Sequence, residues 1–322
     1  MKLFPLHIVP NDTKIDFMRP RKPVLVLMVV LLIASLAIIG LKGFNYALEF
    51  TGGTVVRAHF EKPVDVDHLR TLLDQNGFEN AQVQNVGSAN DVMVRLQPHG
   101  EHNNDENAGR VVAEGVRKVV TSDANPATVQ PGEFVGPQVG KDLAKNGLYA
   151  TIFMLAGFLI YIAFRFEWKF AVVASLTAFF DLILTVAYMS LLGREFDLTV
   201  LAGLLSVMGF AINDIIVVFD RVRENFRSLR VEPLEVLNRS INQTLSRTVI
   251  TAVMFFLSAL ALYLYGGRSM EGLAETHMVG AVIVVVSSVI VAVPLLSIGP
   301  FKVTKQDLLP KAKDVEALAR RP

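Results

Sequence analysis

The sequence predicts a polytopic α-helical membrane protein, with six transmembrane helices and one small extracytoplasmic α+β (ferredoxin-like) domain between helices 1 and 2. Three observations carry that reading. The 322-residue chain is 52% hydrophobic and only 19% charged, with a mean hydropathy of +0.44; a soluble domain carries about 25% charged residues. Its apolar residues gather into runs near the length a bilayer demands. One long polar segment, after the first run, carries strand and helix patterning of its own.

The six runs are 24–41, 148–164, 170–192, 199–219, 248–265 and 273–298. At about 1.5 Å per residue each is long enough to cross a hydrocarbon core of about 30 Å with modest adjustment. The last five follow in close succession as a bundle, and no internal repeat relates the spans. Arg19, Arg21 and Lys22 precede the first run, and Ser35-Leu36-Ala37 is a weak match to a small-x-small cleavage site. The run continues past that site and exceeds the usual apolar stretch of a signal peptide, so it reads as an uncleaved anchor.

Lys and Arg in short loops set orientation. With the N-terminus inside, the inner segments hold 19 basic residues, while the two short outer loops hold only Arg194 and Arg268. Both the N-terminal segment 1–23 and the tail 299–322 are therefore expected in the cytoplasm, and 42–147 outside. The basic stretch 220–247 reads as a cytoplasmic loop; its amphipathic pattern (Val236, Leu237, Ile241, Leu245) also suits an interfacial or docking helix.

The exported segment has the order β-α-β-β-α-β. Thr54–Phe60 alternates as a half-buried strand. Asp67 is placed to cap a helix running to Gln75, with Gly77 ending it. Residues 81–86 and 91–96 read as strands joined by the turn-rich Gly87-Ser88-Ala89-Asn90. Over 106–120, Val111, Val112, Gly115, Val116 and Val119 share one helical stripe, and 128–135 supplies a last strand. The polar stretch 99–107 reads as a loop.

The composition excludes several function classes. A net charge of +1 does not suit nucleic-acid binding. With no cysteine there is no thiol catalysis, Cys-ligated metal or disulfide. Gly136-Pro-Gln-Val-Gly140-Lys141-Asp142 imitates a phosphate loop, but it is one residue short and has Asp where Ser or Thr must hold Mg²⁺; it reads as a strand-to-span linker. His99 and His102 beside Asp105 and Glu106 read as loop residues rather than metal ligands. Neither an HExxH nor a GxSxG pattern occurs. The sequence thus predicts no enzyme, no catalytic residue, no metal and no cofactor, so any work must draw on a partner or on the membrane.

Polar residues at bilayer depth are the strongest signal. Asp181 falls mid-way along the third run; Asn213 and Asp214 lie in the inner half of the fourth, Asp220 at its end, and Arg247 at the inner end of the fifth. A carboxylate at such depth costs about 2.5–3.5 kcal/mol on insertion scales. It therefore faces a bundle interior, pairs, or changes protonation. Asp214 and Arg247 occupy the same leaflet half, where pairing is sterically feasible. Low dielectric favours a neutral acid and a neighbouring guanidinium favours a charged one, so such a pair suits a proton carrier. Structural readings stand beside this one: a neutral hydrogen-bonded Asp181, a snorkelling Arg247, Asp214 in helix packing, and Asn213 as a helix–helix hydrogen-bonder. One proton crossing 100 mV yields about 2.3 kcal/mol, enough to shift a two-state equilibrium about fifty-fold.

At these residues the chain resembles a known family. Gly209-Phe-Ala-Ile-Asn-Asp-Ile-Ile-Val-Val-Phe-Asp-Arg-Val-Arg-Glu-Asn225 is similar to the fourth-span signature of the bacterial SecD/SecF translocase family, of the resistance–nodulation–division superfamily. Glu49-Phe-Thr-Gly-Gly-Thr54, Glu133-Phe-Val-Gly-Pro-Gln-Val-Gly140 and Gln243-Thr-Leu-Ser-Arg-Thr248 match it too, and the likeness covers essentially the whole chain. Glu49, Gly52, Gly53, Gly136 and Pro137 fall on motif positions; the family usually has Asp where this chain has Glu49, with the charge kept. The resemblance implies a subunit of the bacterial inner-membrane Sec machinery that uses the proton-motive force to complete export of preproteins. It implies pairing with SecD, association with the SecYEG channel and with YajC and YidC, and contact with the exported polypeptide and membrane lipid. It ties Asp214 and Arg247 to proton movement. From the residues themselves, Asp181 is expected to line the route, with Asn213 and Asp220 as supporting polar groups. On this reading, protonation of Asp214 loosens its pairing with Arg247, and helices four to six shift. The alternative is a proton-driven small-molecule or lipid exporter of the same superfamily, though such pumps carry larger external domains.

Overall fold

The computed structural model describes residues 13–78, 81–86, 88–96, 108–121 and 125–308. In chain order its elements are α1 (Arg21–Lys42), β1 (Gly53–Phe60), α2 (Val66–Gln75), β2 (Gln82–Val86), β3 (Ser88–Leu96), α3 (Ala108–Val120), β4 (Ala127–Val129), β5 (Glu133–Val135), α4 (Pro137–Arg165), α5 (Trp168–Leu192), α6 (Leu198–Ser228), α7 (Pro233–Tyr265) and α8 (Arg268–Ser287). They divide into two compact units, one of residues 46–150 and one of 1–45 with 151–322.

In the unit 46–150, β1 is central to an antiparallel sheet of order β2-β3-β1-β4, with β5 also on β1. This is the strand order expected of a ferredoxin-like domain. The expected single last strand is two short ones, because Pro131 interrupts the ladder between them. One face of β1 and β3 (Val56, Ala58, Phe60, Val92, Val94, Leu96) packs on Leu69 and Leu73 of α2 and on Ala113 and Val116 of α3. The expected half-buried alternation of β1 does not hold throughout. Val55 is also buried, with Leu48 and Met93 on the opposite face. Asp65, not Asp67, caps α2, accepting from the Asp67 N–H at 3.0 Å, because an N-cap oxygen reaches the amide two residues ahead. Asp67 instead binds Arg70 at 2.7 Å. On α3 the stripe holds except at Val111, which is exposed. Strand β3 begins at Ser88, inside the expected turn. Gly87, Glu106, and the His99, His102 and Asp105 group lie outside the described residues.

The other unit is built from helices long and apolar enough to span a membrane, six in number among the described residues. They differ in surroundings: 6% of the most apolar window is buried in α1 and in α4, against 61%, 50% and 56% in α5, α6 and α8. The last three therefore form the centre. α6 and α8 approach through small residues. A Cβ on Gly280 would stand 2.4 Å from Val207, and one on Gly203 2.9 Å from Thr276. Asp197 caps α6 by accepting from Val200 N–H at 2.7 Å, and Gly193 ends α5 in the left-handed conformation.

Two boundaries differ from expectation for physical reasons. The helix that carries the second apolar run begins at Pro137, ahead of Leu148, and the phosphate-loop look-alike is its first turns, with Pro at a position that needs no N–H donor. The expected loop 220–247 is the continuation of α6 and α7, which leaves only Leu229–Glu232 as a turn. An apolar stripe explains it: Val222, Phe226, Val236, Leu237 and Ile241 are buried together, with Phe170 and Phe219 edge-to-face at 5.2 Å. Asn225 ties the hairpin, donating to Ser240 Oγ and Gln243 Oε1 at 2.9 Å each. The segment before α1 lies along this hairpin. Asn242 and Asn238, one helical turn apart, accept from the Ile15 and Phe17 amides at 3.0 and 2.8 Å.

Candidate functional site

The central trio holds the buried acids. Asp181 of α5 is 1% exposed, and neither carboxyl oxygen has a hydrogen-bond partner among the described residues. It sits on an inward stripe with Thr177 and Thr185, one turn to each side and both fully buried. Their hydroxyls donate to the backbone carbonyls of Val173 and Asp181, so neither serves the acid. Asp214 of α6 is 5% exposed. Thr248 of α7 donates to its Oδ1 at 2.8 Å, and its Oδ2 has no partner among the described residues.

Other expected residues are placed differently. Arg247 makes no ion pair with Asp214 among the described residues, and it is exposed. The reason is helical rotation: successive residues turn by about 100°, so Thr248 faces inward and Arg247 beside it faces out. Asn213 likewise is exposed while its neighbour Asp214 is buried. The expected Asp214–Arg247 pairing is thus replaced by Asp214–Thr248. Asp220 belongs to a separate cluster at the hairpin end, where Arg165 holds it at 2.9 Å and Arg223 holds Glu167 at 3.3 Å. Both guanidiniums stack on Phe166, at 5.3 and 5.4 Å from its ring centre. A groove of about 500 Å³ lies there, lined by Arg165, Asp220, Arg223, Glu224, Arg227 and Ser228.

Three further groups did not register as polar landmarks in the sequence. Glu275 of α8 is 6% exposed and accepts from Arg194 Nε at 2.9 Å and from Tyr188 OH at 3.2 Å, with Glu271 at 3.6 Å from the same guanidinium. It lies inside the sixth apolar run, where an acidic residue is itself the signal. Ser287 and Ser288 are 1% and 0% exposed, and their hydroxyls donate to the carbonyls of Val284 and Val285. They open a π-helical turn, Ser288–Ala292. Pro294 accounts for the widening, since its ring would strike the carbonyl four residues back in a regular α-helix. The third is Thr248 itself.

The motif glycines have a local cause within the unit 46–150. Gly52 and Gly53 both have positive φ, 68° and 118°, which residues with a Cβ rarely adopt. A Cβ on Gly140 of α4 would stand 2.9 Å from the Gly52 nitrogen. The Glu49-to-Gly53 turn and the first turn of α4, at Gly140, are therefore closely packed backbone, whereas Gly136 has open space around it. Glu49 lies in the single helical turn Leu48–Thr51.

Comparison with known proteins agrees with this architecture. The family described as "Protein export membrane protein SecD/SecF, C-terminal" matches residues 116–299, and the SecD/SecF GG motif matches residues 37–64. The protein translocase subunit SecF of Escherichia coli O157:H7 is 44% identical over 265 residues, 82% of this chain and 81% of that one. Its counterpart in Vibrio alginolyticus is 39% identical over 312 residues, 96% and 97% of the two chains. The crystal structure of SecDF from Thermus thermophilus, a translocon-associated membrane protein, superposes with a TM-score of 0.77 at 36% identity. That match covers 91% of this chain but 39% of the SecDF chain, so this chain spans well under half of that structure.

Proposed function

This chain belongs to the SecD/SecF family of protein-export membrane proteins, and from that premise we propose that it uses the proton-motive force to draw preproteins across the bacterial inner membrane. It does so as one half of a complex with SecD, associated with the SecYEG channel and with YajC and YidC. Both termini and the α6–α7 hairpin lie in the cytoplasm, and the ferredoxin-like domain faces outward toward the emerging chain.

The observation that carries this reading is the pair of acids in the central trio. Asp214 has one hydrogen bond and one orphaned oxygen, and Asp181 has two orphaned oxygens. A permanently charged carboxylate so poorly supported would be costly, and a permanently neutral one would make a needless defect in an apolar core. An acid that alternates between the two states needs an environment suited to neither. Thr248 holds Asp214 in position, and Arg247, exposed at rest, supplies the positive charge that favours the carboxylate when α7 turns toward it. Proton uptake removes that attraction, and the movement of α6 to α8 is carried to the external domain. Asp181 lines the route; Asn213 and Asp220 support the flanks of α6.

Asp214→Asn keeps the shape and removes the titration. In proteoliposomes holding the complete complex, this variant is expected to insert and to associate with SecD normally but to lose the increment of preprotein export that an imposed proton gradient adds. Full gradient-stimulated export by Asp214→Asn overturns the proposal and leaves a scaffold role; gradient-driven efflux of a small molecule or lipid without any export points to the exporter reading.

A further inference from the structure

Only 6% of the most apolar window of α1 is buried, yet both of its ends are bonded to other helices. At its C-terminal end, Lys42 Nζ donates to the Leu191 carbonyl of α5 at 2.5 Å, and Ser190 Oγ of α5 donates to the Gly43 carbonyl at 2.6 Å. Ahead of its N-terminal end, residues 13–18 lie on α7. Asn242 Oδ1 accepts from the Ile15 amide at 3.0 Å, and its Nδ2 donates to the Ile15 carbonyl at 2.8 Å. Asn238 Oδ1 accepts from the Phe17 amide at 2.8 Å, and Thr13 Oγ1 donates to the Asn242 carbonyl at 3.4 Å. Two periods match here. Residues four apart on a helix are separated by a rise of about 6 Å, and amides two apart in extended chain by about 6.6 Å. One turn of α7 can therefore read alternate amides of the segment. What it reads at Ile15 is backbone, since that residue is 50% exposed. Beyond it the segment is anchored: Met18 is buried in the core of the hairpin, Phe17 packs against that core, and Asp16 Oδ1 accepts from the Met18 and Arg19 amides at 3.1 Å each, turning the chain into α1.

We propose that residues 13–18 are a strap, that Asn238 and Asn242 are positioning residues which hold it, and that α1 is thereby a brace between α5 and α7. The proposal rests on the proton-coupled reading given above and deepens it. α5 carries Asp181, and α7 carries Arg247 and Thr248, the donor to Asp214. Thr248 is six residues beyond Asn242, about 9 Å along the same helix, so the strap grips α7 close to the group that holds the acid. Without a brace, a turn of α7 is opposed by side-chain packing alone. With it, α7 cannot turn without pulling on α1, and through α1 on the end of α5. The helices that bear the two acids and their donor therefore move together, and proton passage is tied to movement of the bundle. Because the strap is held by its amides, it tolerates a change of side chain at Ile15 but not the loss of the N–H there.

The test measures proton flux and gradient-stimulated preprotein export together, in proteoliposomes holding the complete complex, for the native chain, Ile15→Ala, Ile15→Pro, Asn242→Ala and Asp214→Asn. Ile15→Ala keeps the amide and is expected to match the native chain. Ile15→Pro removes the donor, and Asn242→Ala removes both side-chain bonds to Ile15. One net hydrogen bond corresponds to about a fivefold to tenfold change in an equilibrium. Deuterium exchange at the Phe17 amide is expected to quicken by about that factor in both variants. Both are expected to assemble and to keep their proton flux, while export per proton falls by a similar factor. A merely structural role would instead lower flux, export and assembled yield in step. That common loss overturns the inference. So does native export per proton in both Ile15→Pro and Asn242→Ala, and so does impairment of Ile15→Ala equal to that of Ile15→Pro. In each of these cases, flux abolished in Asp214→Asn leaves the proton reading standing. Undiminished flux in Asp214→Asn overturns the proton reading and this inference with it.

Discussion

Among the sets of charges in the helical unit, two are solvated in opposite ways. At the hairpin end, Arg165 and Asp220 pair at 2.9 Å, Arg223 and Glu167 at 3.3 Å, and Arg165 and Asp220 stay more than two-fifths exposed. Within the spans, Asp181 and Asp214 are buried, and three of their four oxygens have no partner among the described residues. Ordinary stability argues for the first arrangement everywhere, since unpaired buried polar groups are costly. The contrast teaches that the acids of α5 and α6 are placed for something other than stability, on two of the three helices most buried in the unit.

The packing that holds these acids offers the harshest test of the contrast. Gly280→Leu drives a side chain into Val207, within 2.4 Å of where its Cβ begins. It is expected to cost about 3 kcal/mol or more and to lower the yield of assembled complex, measured by thermal unfolding in detergent. Asp181→Leu should act in the opposite sense. Removing an unsatisfied acid of similar size is expected to stabilise the helical unit by about 1–3 kcal/mol while diminishing proton-driven export. A stabilised variant with native export would break the contrast.

At the hairpin end the effects are small. Asp220→Ala is expected to change stability by no more than about 1 kcal/mol, in the same unfolding assay. The smallest effect is local and depends on pH. Asp307 is held by Lys169 Nζ, Thr304 N–H and Thr304 Oγ, each at 2.8 Å. Burial pushes its carboxyl up, but the hydrogen bonds from Lys169 and Thr304 and the Lys169 charge outweigh it and hold it below the ordinary value. Its contribution is therefore present above the ordinary aspartate range, near pH 4, and is lost as pH falls through the lower folded value. Hydrogen exchange over 302–308 should stay slow down to about pH 4 and rise only below it; Asp307→Asn should show fast exchange at neutral pH.

The six spans and the strand order were legible because both are written in periodicity: long apolar runs, and alternation bounded by turn residues. Helix rotation was not legible. Asp214 was recognised from its depth, but spacing alone did not show that its partner would be Thr248 rather than Arg247, one residue and about 100° away. Asn213 fell to the same ambiguity. The second half of 220–247 was legible as an amphipathic helix from Val236, Leu237, Ile241 and Leu245, but that α6 and α7 run on unbroken as one buried hairpin was not, because the stripe before the turn, Val222 and Phe226, is thin. Ser287 and Ser288 left almost no trace in hydropathy, since a hydroxyl that returns its bond to the helix backbone barely perturbs an apolar run. Glu275 was written plainly at the start of the sixth run, but its neighbours Tyr188 and Arg194 come from a distant part of the chain.

A charge change at Asp214 can be watched directly. Infrared difference spectra of the reconstituted complex, recorded as a proton gradient is imposed and collapsed, report the carbonyl stretch of neutral carboxylic acids. A band that rises with the gradient, falls with its loss and is missing in Asp214→Asn is the predicted result. Spectra in which no carboxylic band responds, or in which the responding band survives Asp214→Asn unchanged, contradict it.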